Sequence, residues 1–546
     1  MTLFRPIVFA CLLLLSCSTQ VSLAASDVLL VNGNIYTANP SALWAQAIAI
    51  TGSRIDAVGS NEAVMAFADA ASRIIDLQSR TVIPGLVDSH AHMWLGGLAL
   101  QGINLATPEI YIEPADSDRF LAHIREFATS HPEEKVLYGR ALFPRTVNRT
   151  QLDAAVPDRP LLIHAPTEHS LWVNSKALEL AGITTEPHSD PMLEAYIIRD
   201  TAGEPTGVLL EGAMQLMEPV TAIQDFETRV AWLSNAAQYL NRFGITSVVN
   251  ATGNLDEIRA YAALRDRGEL TVRTRTSFGT VAVNHQLSQR FLDQLEEART
   301  LQDAEWVGAN LIKFFADGAG GPPLYQPEDF QALVLELDRR GYQIMTHSLT
   351  AVTTRTVLDA YEHAIKTNGP RDRRFRIEHA SNVPVDEIPR FAALGVTASM
   401  QAEFCCNDQP GLSNAWQSLL KAGVNLVFGS DWPCTFPPDP FTAIQQSLER
   451  TVRPVFAPYT PFPQKIAGTP QESLTVEQAV DAYTRSAAHA AYMDENIGTL
   501  EAGKLADLAV LTQDIFNVPT TSIGNTQVVL TMVGGTIVFD QMKIRH

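Results

Sequence analysis

The sequence predicts an α/β fold in which a long middle section forms a parallel sheet or barrel and the two chain ends combine into a small β-domain. Two observations carry this. The middle of the chain alternates short apolar strand-like runs with amphipathic helical ones, the order that builds parallel sheets. The two ends instead hold short strand-like runs parted by turn signals.

In chain order, residues 1–25 stand apart. Arg5 supplies a positive start and residues 7–15 form an apolar run too short to span a bilayer comfortably, so the segment reads as a signal peptide. Leu14-Leu15-Ser16-Cys17 resembles a bacterial lipoprotein cleavage site, which would leave Cys17 lipidated and attach the chain to a membrane. Ser22-Leu23-Ala24 is the alternative, a small-residue site for ordinary secretion. Either way the expectation is an exported bacterial protein, periplasmic or held as an outer-membrane lipoprotein.

Strand-like runs follow at 28–31, 48–50 and 74–77, and recur at 506–511, 528–533 and 536–539. Residues 26–81 and 497–546 are therefore expected to build one composite β-domain, since the ends of a domain often lie close together. Between them, residues 82–496 carry strand-like runs at 246–250, 309–315, 342–347, 375–379, 396–400 and 426–431, with helical candidates at 353–366 and 385–394. Residues 105–235 are too long for one βα connection and read as an insertion with its own structure.

The 546 residues are 46% hydrophobic and 18% charged, a globular composition. A formal net charge of −20 argues against a nucleic-acid partner, which would need clustered Lys and Arg. Five cysteines make no disulfide framework: Cys11 and Cys17 fall in the export segment, leaving Cys405, Cys406 and Cys434, with no CxxC spacing. These three read as small buried apolar residues, with pocket thiols as the alternative.

The histidines carry the chemistry. His90 and His92 follow the apolar run 82–87, and residues two apart on a strand share a face, so both imidazoles can aim at one ion such as zinc. His347, His379 and Asp431 each end another strand-like run. Polar groups at the C-terminal ends of successive strands are where a (β/α)₈ barrel places catalytic residues. Lys313 sits inside the apolar run 311–315. Buried there, its amine needs a partner or loses its proton, and a neutral amine can take up carbon dioxide to form a carbamate ligand.

The ordered set Pro84-Gly85, Asp88-Ser89-His90-Ala91-His92, Lys313, His347, Glu378-His379-Ala380 and Gly429-Ser430-Asp431-Trp432-Pro433 resembles the amidohydrolase superfamily. More narrowly it resembles the amidohydrolase-3 branch that includes N-substituted formamide deformylase. Glu168-His169-Ser170-Leu171-Trp172-Val173-Asn174-Ser175-Lys176-Ala177-Leu178, Gly203-Glu204-Pro205-Thr206-Gly207, Ala316-Asp317-Gly318 and residues 498–508 fit the same branch.

The resemblance implies a (β/α)₈ TIM barrel with a β-sandwich made from both chain ends. It implies one or two divalent metals, zinc foremost. His90 and His92 would bind the first; Lys313, as a carbamate, would bridge to a second held by His347 and His379. Asp431 would touch the first metal and act as acid and base in hydrolysing an amide, formamide or related carbon–nitrogen bond of a small molecule through a metal-activated hydroxide. His169 and Trp94 are the candidate substrate contacts.

Two departures from the branch pattern, Ser348-Leu349-Thr350 after His347 and residues 401–408 after Met400, fall on pocket positions and leave the substrate open. A lyase or isomerase on the same metals, and a catalytically silent binding protein, remain alternatives because fold and ligands do not fix the bond broken. The silent version would lack a ligand, and none is missing.

Overall fold

The computed structural model describes residues 25–105, 116–141, 147–167, 169–279, 287–318, 321–404, 414–435, 437–450 and 470–543. The signal segment with Cys11 and Cys17, and the pair Cys405 and Cys406, lie outside these.

Eight parallel strands form a sheet that is nearly closed as a barrel: β1 (Leu86–Ala91), β2 (Ile245–Gly253), β3 (Arg273–Gly279), β4 (Val307–Phe315), β5 (Gln343–His347), β6 (Arg376–Glu378), β7 (Thr397–Met400) and β8 (Leu426–Phe428). They stand side by side in chain order, each paired in parallel with the next from β1 through β8. Register fixes which residues share a level. Phe315 lies opposite His347, and His347 opposite Glu378, so the ends of β4, β5 and β6 finish together.

The gap between β8 and β1 is closed past the strand ends by a single parallel bridge, Ala91 with Trp432. Asp431 N donates to His90 O at 2.6 Å and His92 N to Trp432 O at 2.7 Å. The buried Asp88 carboxylate spans the same gap, accepting from Ser430 N (3.0 Å) and Ser430 Oγ (2.6 Å). Only glycine fits at 429, because a Cβ there would run into the His90 backbone nitrogen.

β3 went unanticipated in the sequence. Its residues, Arg273 to Gly279, include two arginines and no apolar run, so the usual strand signal is missing. Both arginines are nonetheless buried. Arg273 forms a two-point pair with Asp507, at 2.7 and 2.9 Å, and lies over Trp306.

The apolar run before His90 is two strands. Thr81–Pro84 belongs to the terminal β-structure and Leu86–Ala91 to the barrel, with Gly85 N donating to Asp507 O between them. A six-stranded sheet joins Asn34–Tyr36, Trp44–Ala45 and Thr81–Pro84 from the N-terminal side to Leu508–Leu511, Val528–Val533 and Thr536–Asp540 from the C-terminal side. A four-stranded sheet of Val28–Val31, Ala47–Thr51, Arg54–Gly59 and Arg73–Asp76 covers it, with Leu30, Ile48, Ile50 and Ile75 packed among Ile35, Val82, Leu508 and Leu530.

Between β1 and β2 the chain builds a further six-stranded mixed sheet from Ile103–Leu105, Leu137–Ala141, Leu161–His164, Ser170–Val173, Ile197–Arg199 and Pro205–Leu210. Its alternate residues feed two cores. Leu137, Leu161 and Ile163 pack with Phe120 and Ile124, while Tyr138, Leu162 and Val173 pack with Trp232. No helix among the described residues is long and apolar enough to cross a membrane.

Asp507 ties the terminal sheets to β3 through Arg273 and also accepts from Gly534 N at 2.7 Å. Asp507→Ala strands a buried guanidinium, and the expected cost is about 3–5 kcal/mol. Denaturant unfolding checks this; a loss under 1 kcal/mol would show the pair is dispensable.

Candidate active site

β1 delivers the two histidines from its very end. His90 is in the strand, while His92 lies just past it and opens the helix Met93–Gln101. Asn250 of β2 fixes that turn by accepting from Met93 N at 3.0 Å. His90 Nδ1 is bound to Glu378 Oε2 at 2.6 Å, which leaves Nε2 as its metal-facing nitrogen. Glu378 is itself held by Arg376 at 2.7 and 3.1 Å, and Arg376 also donates to Ser89 O at 2.7 Å.

Asp431 follows β8 in the left-handed region, with φ 57°. That turn points its carboxylate back at β1. Asp431 Oδ1 lies 3.1 Å from His92 Nε2 and 3.5 Å from His90 Nε2. His379 also turns left-handed, with φ 56°, directly after β6, and its Nδ1 lies 2.7 Å from Gln401 Oε1. Its ring stands 4.6 Å from the rings of both His90 and His347. One ligand atom from each of His90, His379 and Asp431 falls within 4.8 Å of the others, and all three residues are buried.

Lys313 enters from β4, with Nζ 3.4 Å from His90 Nε2. His347 closes the other side: its Nε2 lies 3.2 Å from Gly318 O and 3.4 Å from Asp317 Oδ1. All six sequence-predicted ligands thus occupy one end of the barrel. His169 joins them from the insertion, its ring 5.5 Å from that of His347. Trp94 packs with Trp232 and lies under the Arg229 guanidinium, and no contact among the described residues ties its ring to the six.

The electrostatics suit metal ligation. Burial, aided by the charge of Lys313, pushes His90 down to about 3 and holds His347 and His379 below the usual imidazole range, so all three are neutral donors at neutral pH. Burial pushes the Lys313 ammonium down to about 8. For Asp431, burial would raise the carboxyl, but the contacts around it, the hydrogen bond from His92 foremost, outweigh it and keep it ionised. Glu378 stays ionised in the same way, against burial, through Arg376 and His90.

Reading the sequence missed the residues behind the ligands. Glu378 was visible only as the neighbour of His379, and Gln401 only as a departure from the branch pattern. Arg376, Asp88 and Glu211 were not singled out for the site. Alternation could have found Arg376 and Glu378, which lie two apart on one strand and therefore on one face.

The profile of the amidohydrolase family matches residues 73–539, most of the chain. The chain belongs to the amidohydrolase family. This amidohydrolase is 28% identical to protein LONG AFTER FAR-RED 3 of Arabidopsis thaliana, over 93% of this chain and 91% of that protein. It is 25% identical to the N-substituted formamide deformylase of Arthrobacter pascens, over 94% and 98%. Among solved structures, a metal-dependent hydrolase from Pyrococcus horikoshii shares its fold, with a TM-score of 0.70 at 20% identity over 90% of this chain and 99% of that one. The expectation of an enzyme, a metal-dependent hydrolase acting on carbon–nitrogen bonds, stands on that membership.

In this amidohydrolase Glu378 sets the tautomer of His90. Glu378→Gln is expected to weaken metal affinity about 10–100-fold. Competition against a chelator measures it, with the unfolding midpoint followed in parallel. Unchanged affinity in a folded variant would show that the Glu378 contact does not tune the ligand.

Proposed function

We propose that this amidohydrolase hydrolyses an amide, formamide or related carbon–nitrogen bond in a small molecule, with Asp431 as the proton shuttle. The observation that carries this is the Asp431 carboxylate, ionised, buried and within 3.5 Å of the Nε2 atoms of both His90 and His92. The formamide deformylase among its relatives supports the bond class.

The residues present fit a divalent metal. Neutral imidazoles with an ionised carboxylate form the donor set zinc prefers. His92 Nδ1 is in addition buried without a hydrogen-bond partner among the described residues. His90, His92, His379 and Asp431, with Lys313 and His347, would hold one or two such ions, zinc foremost. Bound there, the metal supplies Lewis acidity to the substrate carbonyl and acidifies water.

Asp431 accepts the proton of the attacking water as the new C–O bond forms, then returns it to the leaving nitrogen as the C–N bond breaks. Lys313, with its ammonium pushed down to about 8 by burial, reaches its neutral amine more readily than an exposed lysine does. That amine can add to carbon dioxide, forming an N–C bond and releasing a proton, to give a carbamate ligand.

The chain is also proposed to be exported, from the positive start, apolar run and Cys17 of residues 1–25. Intact-mass analysis after expression in a bacterial host decides this. Cleavage after Ala24 or a lipid mass on Cys17 is expected; an uncleaved Met1 terminus in the soluble cytoplasmic fraction would overturn it.

Asp431→Asn is expected to keep the fold and most of the metal but lower turnover about 10²–10⁴-fold, the usual worth of general acid–base help. Turnover per metal-loaded enzyme, on a panel of N-acyl and N-formyl compounds, is the measurement. Activity within a few-fold of the unsubstituted protein would remove Asp431 from the shuttle role.

A further inference from the structure

The insertion sends two residues toward the His347 side of the barrel mouth. Strands Ser170–Val173 and Pro205–Leu210 pair antiparallel, with Ser170 opposite Leu210. His169 and Glu211 are the next residues in that register, and Glu211 N donates to His169 O at 3.3 Å. Their side chains meet as well: His169 Nδ1 lies 3.1 and 3.0 Å from the two Glu211 carboxylate oxygens.

This pairing carries a backbone cost. Glu211 has φ 42°, a region that non-glycine residues seldom occupy and that persists where surrounding contacts enforce it. The carboxylate also presses against the barrel loop that follows β4. A Cβ at Gly318 would fall 2.6 Å from Glu211 Oε1, so glycine alone lets the two approach. The carbonyl of Gly318 is in turn 3.2 Å from His347 Nε2. The insertion is thereby keyed to the barrel site at the point where His169 stacks edge-on to His347.

A carboxylate has no proton to give, so His169 must donate through Nδ1. In the neutral ring the proton is then on Nδ1, and Nε2 presents a lone pair. Nε2 has no hydrogen-bond partner among the described residues, and the His169 side chain keeps 20% of its surface exposed. We propose that His169 is a specificity-determining substrate contact whose Nε2 accepts a hydrogen bond from a substrate N–H on the His347 side, and that Glu211 is the positioning residue that fixes the accepting tautomer. The substrates favoured are then secondary amides or formamides, which keep an N–H, over N,N-disubstituted ones. This rests on the reading of the site as an amide hydrolase.

Two experiments on the full metal-loaded chain test it. First, nitrogen-15 NMR of histidine-labelled protein at neutral pH reads the proton on each ring nitrogen, with His169→Ala assigning the signal. Protonated Nδ1 and bare Nε2 are expected, collapsing to a tautomer mixture in Glu211→Leu and retained in Glu211→Gln, whose carbonyl oxygen still accepts. A proton on Nε2 in the unsubstituted protein overturns the proposal.

Second, kcat/KM is compared on N-butylformamide and N-butyl-N-methylformamide. His169→Ala should lose about 10–100-fold on the first, the worth of one strong hydrogen bond, and little on the second. Glu211→Leu should follow it and Glu211→Gln should recover. An equal loss on both compounds at equal metal content overturns the proposal. If the unsubstituted enzyme turns over neither compound while His169 shows the expected tautomer, the failure belongs to the amide-hydrolase reading instead.

Discussion

A parallel barrel must join its last strand to its first, and here that join is also part of the candidate active site. β8 and β1 meet through one bridge past their ends and through the Asp88 carboxylate. The hydrogen bond from Asp431 N to His90 O closes the backbone and in the same stroke brings the Asp431 carboxylate to the two β1 histidines. The left-handed turn at Asp431 is what aims the side chain inward. Closing the fold and bringing Asp431 to the two histidines are thus one event, and a defect in the seam is felt in both.

Bringing so many titratable groups into one buried space sets a second constraint. Isolated buried charges are costly, and this site meets the cost in two ways. Its histidines give up their charge, held neutral by burial. Its carboxylates keep theirs through their partners: the Arg376 guanidinium for Glu378, and the contacts around Asp431, the His92 hydrogen bond foremost. The run from Arg376 through Glu378 to His90 leads from a fully buried guanidinium to the Nδ1 side of the ring, so the orientation of that imidazole is fixed from inside the barrel wall.

The insertion answers a different need. The strand ends supply the cluster of His90, His379 and Asp431, while His169 reaches the same end of the barrel from the insertion. The mixed sheet between β1 and β2 has its own two cores and can hold a side chain firmly from outside. Rigid support of that kind is what gives a contact residue a defined geometry.

Much of this was legible in the sequence. Strand-end histidines, the βαβα alternation and β-rich ends led to the barrel, the terminal β-structure and the six ligand candidates, because apolar periodicity and metal chemistry are local in sequence. β3 was not legible: its arginines are buried because Asp507, more than two hundred residues away, receives Arg273, and the carbonyls of Thr274 and Ala304 receive Arg275. The split of the run before His90 at Gly85 was hidden for the same reason, since both halves are equally apolar and only their partners differ. The tautomer of His90 and the pairing of His169 with Glu211 join residues 288 and 42 positions apart. The sequence by itself determined which residues could bind a metal; the tertiary structure decided which nitrogen each one presents, because that depends on what a distant chain segment places against the other side of the ring.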